Sequence, residues 1–549
     1  MGWTDSRTYC RCVITKISQL IRKIKSIGRI LRTISHLKPI QVAYQLKYRL
    51  ISPKPLAAYK LSHSTFKLLS FFDTPNLKIA EVNGKAFKFR FLNLSYTFEE
   101  SIDWNYQAYG KLWNYNLQYM DWLKQETLPS EKKNFLAVDL YSKLWEGYLP
   151  LEPYPASLRI MNGIRYLSTS IEASHDLAIF IKAEVNFLTN RLEYHLLANH
   201  LLENAFAIYM AGCFFQDSNW LQLGDRLLRD ELDEQILKDG AHYELSPMYH
   251  QIIFFRVLEL MAYENRESEF YSYVEEKAYK MLSWLKAITF RNGSIPHFND
   301  STDGIALTSL QLYKIAEDLG LEVKESFGLK ESGYRKFVND KFELIVDVHG
   351  ISPAYQPGHA HADTFSFCLN FEDEPIIVDT GISTYNICSD RADERGTSAH
   401  NTVVINNSNS AEVWSGFRVG KRIETKLNVD KEKLLFASHK GYLNFGVEIK
   451  RKFDFSDYLI EISDSLSDKQ DQAYLAESIL HLHPSVEISS VLKSSIILNR
   501  NLEIMFKGQL GFQIEDSAYC IGFNKRAISK KIRIKFKDKQ VNIKFTPIL

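Results

Sequence analysis

Cysteine gives this chain no scaffold. Its six cysteines stand at positions 10, 12, 213, 368, 388 and 520, and only Cys10-Arg11-Cys12 brings two close together. That pattern resembles neither a disulfide framework nor a paired metal motif. An excess of one charge is also missing: 67 Lys and Arg against 66 Asp and Glu leave a net charge of +1. Global electrostatics therefore give no reason to expect nucleic acid as a partner. The N-terminus lacks an uninterrupted apolar stretch, because Arg22, Lys23, Lys25, Arg29 and Arg32 break it. The visible sequence thus shows neither a secretory signal nor a membrane span there.

What is present is an ordinary globular composition, 45% hydrophobic and 24% charged, over 549 residues. That length exceeds what one core usually serves, so two or three domains are expected. Aromatic residues make up 13%, a rich supply for packing or for a pocket wall. Residues 1–50 carry eleven Lys or Arg against the single acid Asp5. Ile17, Leu20, Ile24, Ile27, Leu31 and Ile34 recur within them at steps of three and four, an apolar seam on a basic helix. Such a helix docks on the rest of the chain or on a second copy. The competing reading is peripheral contact of residues 13–34 with an anionic membrane.

The pattern divides the chain into a basic amphipathic segment (1–60), a small β or linking element (61–104), a helical domain (105–330) and an all-β domain (331–549). Lys85-Ala86-Phe87-Lys88-Phe89-Arg90-Phe91 alternates like a strand. Helical periodicity then runs from about 105 to 320 with short breaks. It fits a bundle, a solenoid or a closed toroid, and periodicity alone does not choose among them. After Gly333, short β-rich runs such as Phe342-Glu343-Leu344-Ile345-Val346 point to stacked antiparallel sheets. The fold class is α+β and multidomain, with a cleft between the two halves as the natural ligand site.

Three constellations carry chemistry. In Asn199-His200-Leu201-Leu202-Glu203-Asn204, helical spacing lets His200 share a face with Glu203, a carboxylate that would hold and tune the imidazole. A purely structural helix pair has the same spacing. In Ser246-Pro247-Met248-Tyr249-His250, a good cap and a first-turn proline put Tyr249 at a helix N-terminus, where the dipole favours phenolate slightly. A buried structural tyrosine is the plain alternative. The third is Gly358-His359-Ala360-His361-Ala362-Asp363-Thr364-Phe365-Ser366-Phe367, read as a strand whose polar face carries His359, His361 and Asp363. His361, with Asp379 and His400 from neighbouring β segments, supplies donors that suit zinc, although spacings of 18 and 21 residues are no local metal motif.

Together with Trp113-Asn114-Tyr115-Asn116-Leu117-Gln118-Tyr119, Pro153-Tyr154-Pro155-Ala156-Ser157-Leu158-Arg159, Ile377-Val378-Asp379-Thr380-Gly381, Ser398-Ala399-His400-Asn401-Thr402 and Trp414-Ser415-Gly416-Phe417-Arg418, these runs are ordered from about 100 to 425. As a set they resemble the heparinase II/III-like and alginate-lyase-like polysaccharide lyase family of bacteria. The resemblance implies an (α/α) toroid followed by an antiparallel β-sandwich, and β-elimination at a uronic acid in an anionic polysaccharide. It also implies that Asn199 and His200 engage the uronate carboxylate, His200 also serving as base for one epimer. Tyr249 acts as base, acid or both, and His359 completes the centre. Glu203 and Asp363 support, Arg159 and Arg395 contact substrate anions, and His361, Asp379 and His400 bind a structural zinc ion. A cell-envelope or periplasmic location follows from the same resemblance, with the cell's own surface polysaccharide as one candidate substrate, while the absence of a visible signal leaves a cytoplasmic or membrane-peripheral location open. Two other functions compete: a non-catalytic glycan-binding or assembly protein of polysaccharide export, and a glycoside hydrolase using Glu203 and Glu244.

Overall fold

A computed structural model describes residues 27–63, 65–323, 325–468, 474–536 and 539–548. Its first half is helical and its second half is antiparallel β. The helices Lys111–Gln118, Ser130–Trp145, Pro153–Thr169, Asp176–Thr189, Ala198–Phe215, Ser218–Gln235, Pro247–Tyr263, Glu269–Ile288 and Ser309–Asp318 follow one another, and the long connection at 289–308 carries Asn299 and Asp300. They form the (α/α) toroid. A three-stranded sheet, Ala80–Asn83, Ala86–Phe91 and Leu94–Phe98, packs its phenylalanines into the same core.

Local chemistry sets the helix ends. Asp217 accepts from the backbone N–H of Asn219 and Trp220, Ser246 from Tyr249 and Ser268 from Tyr271, each satisfying donors that a helix leaves open. Gly224 allows the helices Ala198–Phe215 and Ser218–Gln235 to approach, since a Cβ there would lie 2.7 Å from Tyr209 Cα.

The β half begins with a four-stranded sheet of Tyr334–Val338, Phe342–Asp347, Phe367–Phe371 and Glu374–Ile377. An eight-stranded sheet runs in spatial order Thr425–Lys431, Leu434–His439, Val447–Phe455, Ile460–Asp468, Gln540–Pro547, Leu502–Lys507, Ser495–Leu498 and Ile488–Val491. Gly511–Gly522, Lys525–Phe536, Ala476–His481 and Val403–Ile405 make a further sheet. In Val447–Phe455 every second residue is buried, the period expected of a strand with one face on the core. The inner faces share one apolar cluster, the sandwich core.

Two expectations change. Residues 358–366 are not a strand; the regular strand starts at Phe367, and the preceding stretch turns repeatedly. Ala360 N–H bonds to Pro357, Ala362 N–H to the Arg395 carbonyl, and Ser366 N–H to Asp363, while Phe365 has φ 70°. The alternation is therefore no strand face, and His359 and His361 are free to point to different places. The second change concerns the basic segment, of which Ile17, Leu20 and Ile24 lie outside the described residues. Residues 27–34 are helical and dock on the β half by their polar side: Arg29 and Arg32 pair with Glu412, and Trp414 Nε1 donates to Thr33 Oγ1 at 3.2 Å. The seam residues Ile27, Leu31 and Ile34 remain exposed. Among the described residues no helix is long and apolar enough to cross a membrane.

Candidate active site

Irregular turns from the two halves line one cavity of about 370 Å³, and the Asn299-Asp300 turn lies behind it, bonded to His359. Non-glycine residues with positive φ stand beside each: Leu197 (61°) and Ala198 (54°) before Asn199, Leu245 (56°) before Ser246, Asn299 (55°) before Asp300, and Phe365 (70°). Such conformations cost about 1–3 kcal/mol each and persist where the surroundings enforce them. Here the enforcement is visible in hydrogen bonds. Ser246 Oγ caps the helix Pro247–Tyr263 and also donates to the Asp300 carbonyl at 2.7 Å, while His361 N–H donates to Asn299 Oδ1 at 3.0 Å.

Asn199, His200, Tyr249 and His359 all line this cavity, with Glu244 and the rings of Tyr115, Tyr119, Tyr154, Tyr385 and Phe417. Asn199 Nδ2 donates to Glu244 Oε2 at 3.0 Å and lies 3.4 Å from His359 Nε2. The Tyr249 and His359 rings lie 4.0 Å apart between centroids, and the Tyr249 hydroxyl is 3.2 Å from that of Tyr385. His359 Nδ1 is 2.7 Å from Asp300 Oδ2. Asp300 is fully buried; its other oxygen meets His361 Nε2 at 2.8 Å, and Arg391 clamps both oxygens. One carboxylate thus fixes two imidazoles and is itself neutralised by a guanidinium.

The charge states follow from these surroundings. Burial holds Tyr249 well above the usual phenol range, and Tyr385, Asp300 and Glu244 push it the same way. The phenolate bias expected from the helix dipole is therefore overridden, and Tyr249 is a protonated donor. For His200, burial opposes the charged form, but Glu193, whose Oε1 lies 3.2 Å from Nδ1, together with Glu244 and Glu203 outweighs it and raises the pKa. Burial likewise opposes ionisation of Asp300, yet Arg391 and the two imidazoles hold it well below the carboxylate range.

Several expected partners are elsewhere. Glu203 does not bond His200; it accepts from Arg256 at 3.1 Å, and Glu193 is the carboxylate on the imidazole. Arg159 is fully buried, paired with Glu184 inside the toroid, and does not line the cavity. Arg395 is also buried and donates to the Ala360 carbonyl at 2.8 Å, bracing the loop instead of facing the cavity. Asp363 holds neither His359 nor His361; Asp300 does both. Glu193, Asp300, Tyr385 and Arg391 carried no signal in the sequence, because their partners lie in other turns with no fixed spacing. Among the described residues that line this cavity Glu244 is the one carboxylate and Glu203 is not one of them, so the pair of Glu203 and Glu244 read for glycoside hydrolysis is not assembled there.

Behind this cavity lie the residues read as zinc ligands. His400 Nδ1 meets Asp379 Oδ2 at 2.8 Å, and the rings of His361 and His400 are 5.3 Å apart. His361 Nδ1, His400 Nε2 and Asp363 Oδ2 are buried without a hydrogen-bond partner. Among the described residues no group of three or more His, Cys, Asp or Glu is positioned to hold a metal ion as it stands. The chemistry of the donors nevertheless fits zinc: two imidazoles with a spare nitrogen each and acidic residues beside them. Asp379 departs from the expectation by being engaged with His400, Ser366 and the Gly381 N–H.

Comparison with known proteins gives the following. Residues 152–318 match the family model described as heparinase II/III N-terminus, and residues 322–546 that described as heparinase II/III-like, C-terminal. A heparin-sulfate lyase of Bacteroides stercoris is 24% identical over 336 residues, covering 53% of this chain and 49% of that protein. A heparin-sulfate lyase of Pedobacter heparinus is 26% identical over 340 residues, covering 55% and 49%. The chain thus spans about half the length of these relatives. The crystal structure of heparinase III superposes with a TM-score of 0.61 at 16% identity, over 82% of this chain and 80% of that one. That of the heparan sulfate lyase HepC from Pedobacter heparinus gives 0.54 at 16%, over 92% and 87%. At such identities these superpositions show a shared fold.

Proposed function

Because this chain belongs to the heparinase II/III-like family, we propose that it is a polysaccharide lyase that cleaves a uronic-acid-containing glycan by β-elimination. The observation that carries the reading is the convergence of Asn199, His200, Tyr249 and His359 on one cavity. Elimination must neutralise the uronate carboxylate, remove the proton alpha to it and protonate the departing oxygen. Asn199 and His359, adjacent at 3.4 Å, receive the carboxylate. His200, backed by Glu193 and poised above an ordinary imidazole, takes the C5 proton. The C–H electron pair becomes the C4–C5 double bond, the bond from C4 to the glycosidic oxygen breaks, and that oxygen takes the proton of the Tyr249 phenol. Solvent exchange then returns a proton to Tyr249 from His200. Glycan binding alone would not need this proton-transfer set.

The test is ultraviolet absorbance of the unsaturated product over a panel of uronate polymers. Conjugated product is expected on at least one; cleavage without the chromophore would overturn the proposal.

Zinc held by His361, Asp379 and His400 forms part of the proposal. Its support is the buried unpartnered nitrogens of the two imidazoles, and the ion would supply positive charge to an acidic interior that contains Asp347, Asp363 and Asp379. Peripheral lipid contact by the N-terminal helix has the exposed Ile27, Leu31 and Ile34 as its support, and a cell-envelope location goes with it. Liposome binding before and after removal of residues 1–36 decides; unchanged binding rules that contact out.

A further inference from the structure

The catalytic cavity does not end at His200. A second cavity of about 400 Å³ shares Tyr115, Tyr154, Leu196 and His200 with it. Its far wall is built from Tyr48, Pro53, Arg191 and His195; Glu152 and Glu193 also line it, the first held by Lys111 and Tyr115 and the second by His200 and Asn204. Tyr48 and Pro53 precede residue 152, where the family match begins, so part of this wall is supplied by sequence that the family pattern does not describe, while Arg191 and His195 fall within the match.

The wall has the chemistry of an anion site beside an aromatic face. Arg191 donates through Nη1 to the Ile51 carbonyl at 2.6 Å and through Nη2 to that of Tyr48 at 3.4 Å, and its guanidinium lies 4.2 Å from the Tyr48 ring centroid. These contacts hold the guanidinium in place with N–H groups to spare. Among the described residues no carboxylate forms a salt bridge with it, unlike buried Arg159 or Arg391. His195 packs edge-on against Tyr48 at 5.2 Å, and its Nδ1 is buried with no hydrogen-bond partner. An uncompensated, positioned guanidinium and a spare imidazole nitrogen suit the planar acidic group of a sugar.

We propose that this compartment binds the sugar attached through C1 of the uronate being cleaved, on the side away from the scissile bond and so missing from a disaccharide substrate, and that Arg191, with His195, receives that sugar's carboxylate or sulfate. The proposal rests on the lyase reading of the adjoining cavity and makes the N-terminal segment around Tyr48 part of substrate selection.

The experiment compares wild type, Arg191→Gln and Arg191→Lys on uronate oligosaccharides of two, four and six sugars, with and without sulfate. Arg191→Gln is expected to raise KM for four and six sugars by about 10- to 100-fold, the worth of a charge-assisted hydrogen bond, with kcat and disaccharide kinetics unchanged. Arg191→Lys recovers part of the loss, because it keeps the charge and loses the fork. A loss confined to sulfated oligomers assigns sulfate, and a loss on both kinds assigns carboxylate. An unchanged KM, or an equal change for the disaccharide, overturns the proposal, the latter showing that Arg191 only tethers Tyr48 and Ile51. If wild type makes no unsaturated product, the lyase reading fails by itself. Calorimetric binding of the tetrasaccharide then decides the compartment: at least tenfold weaker binding to Arg191→Gln supports it, and equal affinity overturns it.

Discussion

Replacing Asp300 by Asn probes the junction of the two halves. Asp300 is fully buried and bonds His359 at 2.7 Å, His361 at 2.8 Å and both terminal nitrogens of Arg391. The amide keeps the shape and removes the charge, leaving the Arg391 guanidinium, 1% exposed, without its counter-ion. Breaking one partner of a buried pair costs about 3–5 kcal/mol. Catalysis should suffer separately, because an amide no longer fixes which nitrogen of His359 carries the proton; loss of an analogous orienting carboxylate costs up to about 10⁴-fold. Urea denaturation of Asp300→Asn, Arg391→Met and the double variant measures the first effect, and kcat/KM the second. The double variant should be more stable than Asp300→Asn alone, since it removes the stranded charge. The pH dependence has a definite sign. The folded carboxyl of Asp300 lies well below its unfolded value of about 4, so its stabilisation is full above that value and is lost as pH falls through the depressed one. Asp300→Asn should flatten that acid limb. Unchanged stability in the single variant, or no recovery in the double, would refute this account of the junction.

Other consequences are more local. Glu193→Gln removes the charge that raises His200, so the rising limb of kcat/KM against pH, which reports the neutral base, should move to lower pH. Glu203→Gln, whose carboxylate bonds Arg256, should move that limb in the same direction but by less, while lowering stability. Chelation, checked by elemental analysis, should lower the thermal midpoint and leave kcat of the surviving folded protein unchanged; metal-free protein of full stability would remove zinc from the account.

Much of this was legible in the sequence where local rules apply. Ser246-Pro247 announced the helix that presents Tyr249, and the helical and strand periods placed the elements of both halves. Asn199, His200, Tyr249 and His359 could be named because each sits in a distinctive run. Their partners could not. Asp300 meets His359, His361 and Arg391 across 59, 61 and 91 residues, through loops that have no period. The stretch His359–Phe367 misled because alternation of residue type is evidence for a strand only when the backbone is extended, and here hydrogen bonds to Asn299 and Arg395 bend it. Arg159 looked like an anion contact because charge is visible in a sequence and burial is not; Glu184, 25 residues away, consumes it.

The central claim is that Tyr249, held protonated in the cavity, supplies the proton that lets the glycosidic oxygen leave. Tyr249→Phe changes one hydroxyl on a ring whose centroid lies 4.0 Å from that of His359. The account predicts that formation of the ultraviolet-absorbing product falls by about 10²- to 10⁴-fold while affinity for the same oligosaccharide, measured by calorimetry, stays within about twofold. Near-wild-type product formation by Tyr249→Phe would contradict it.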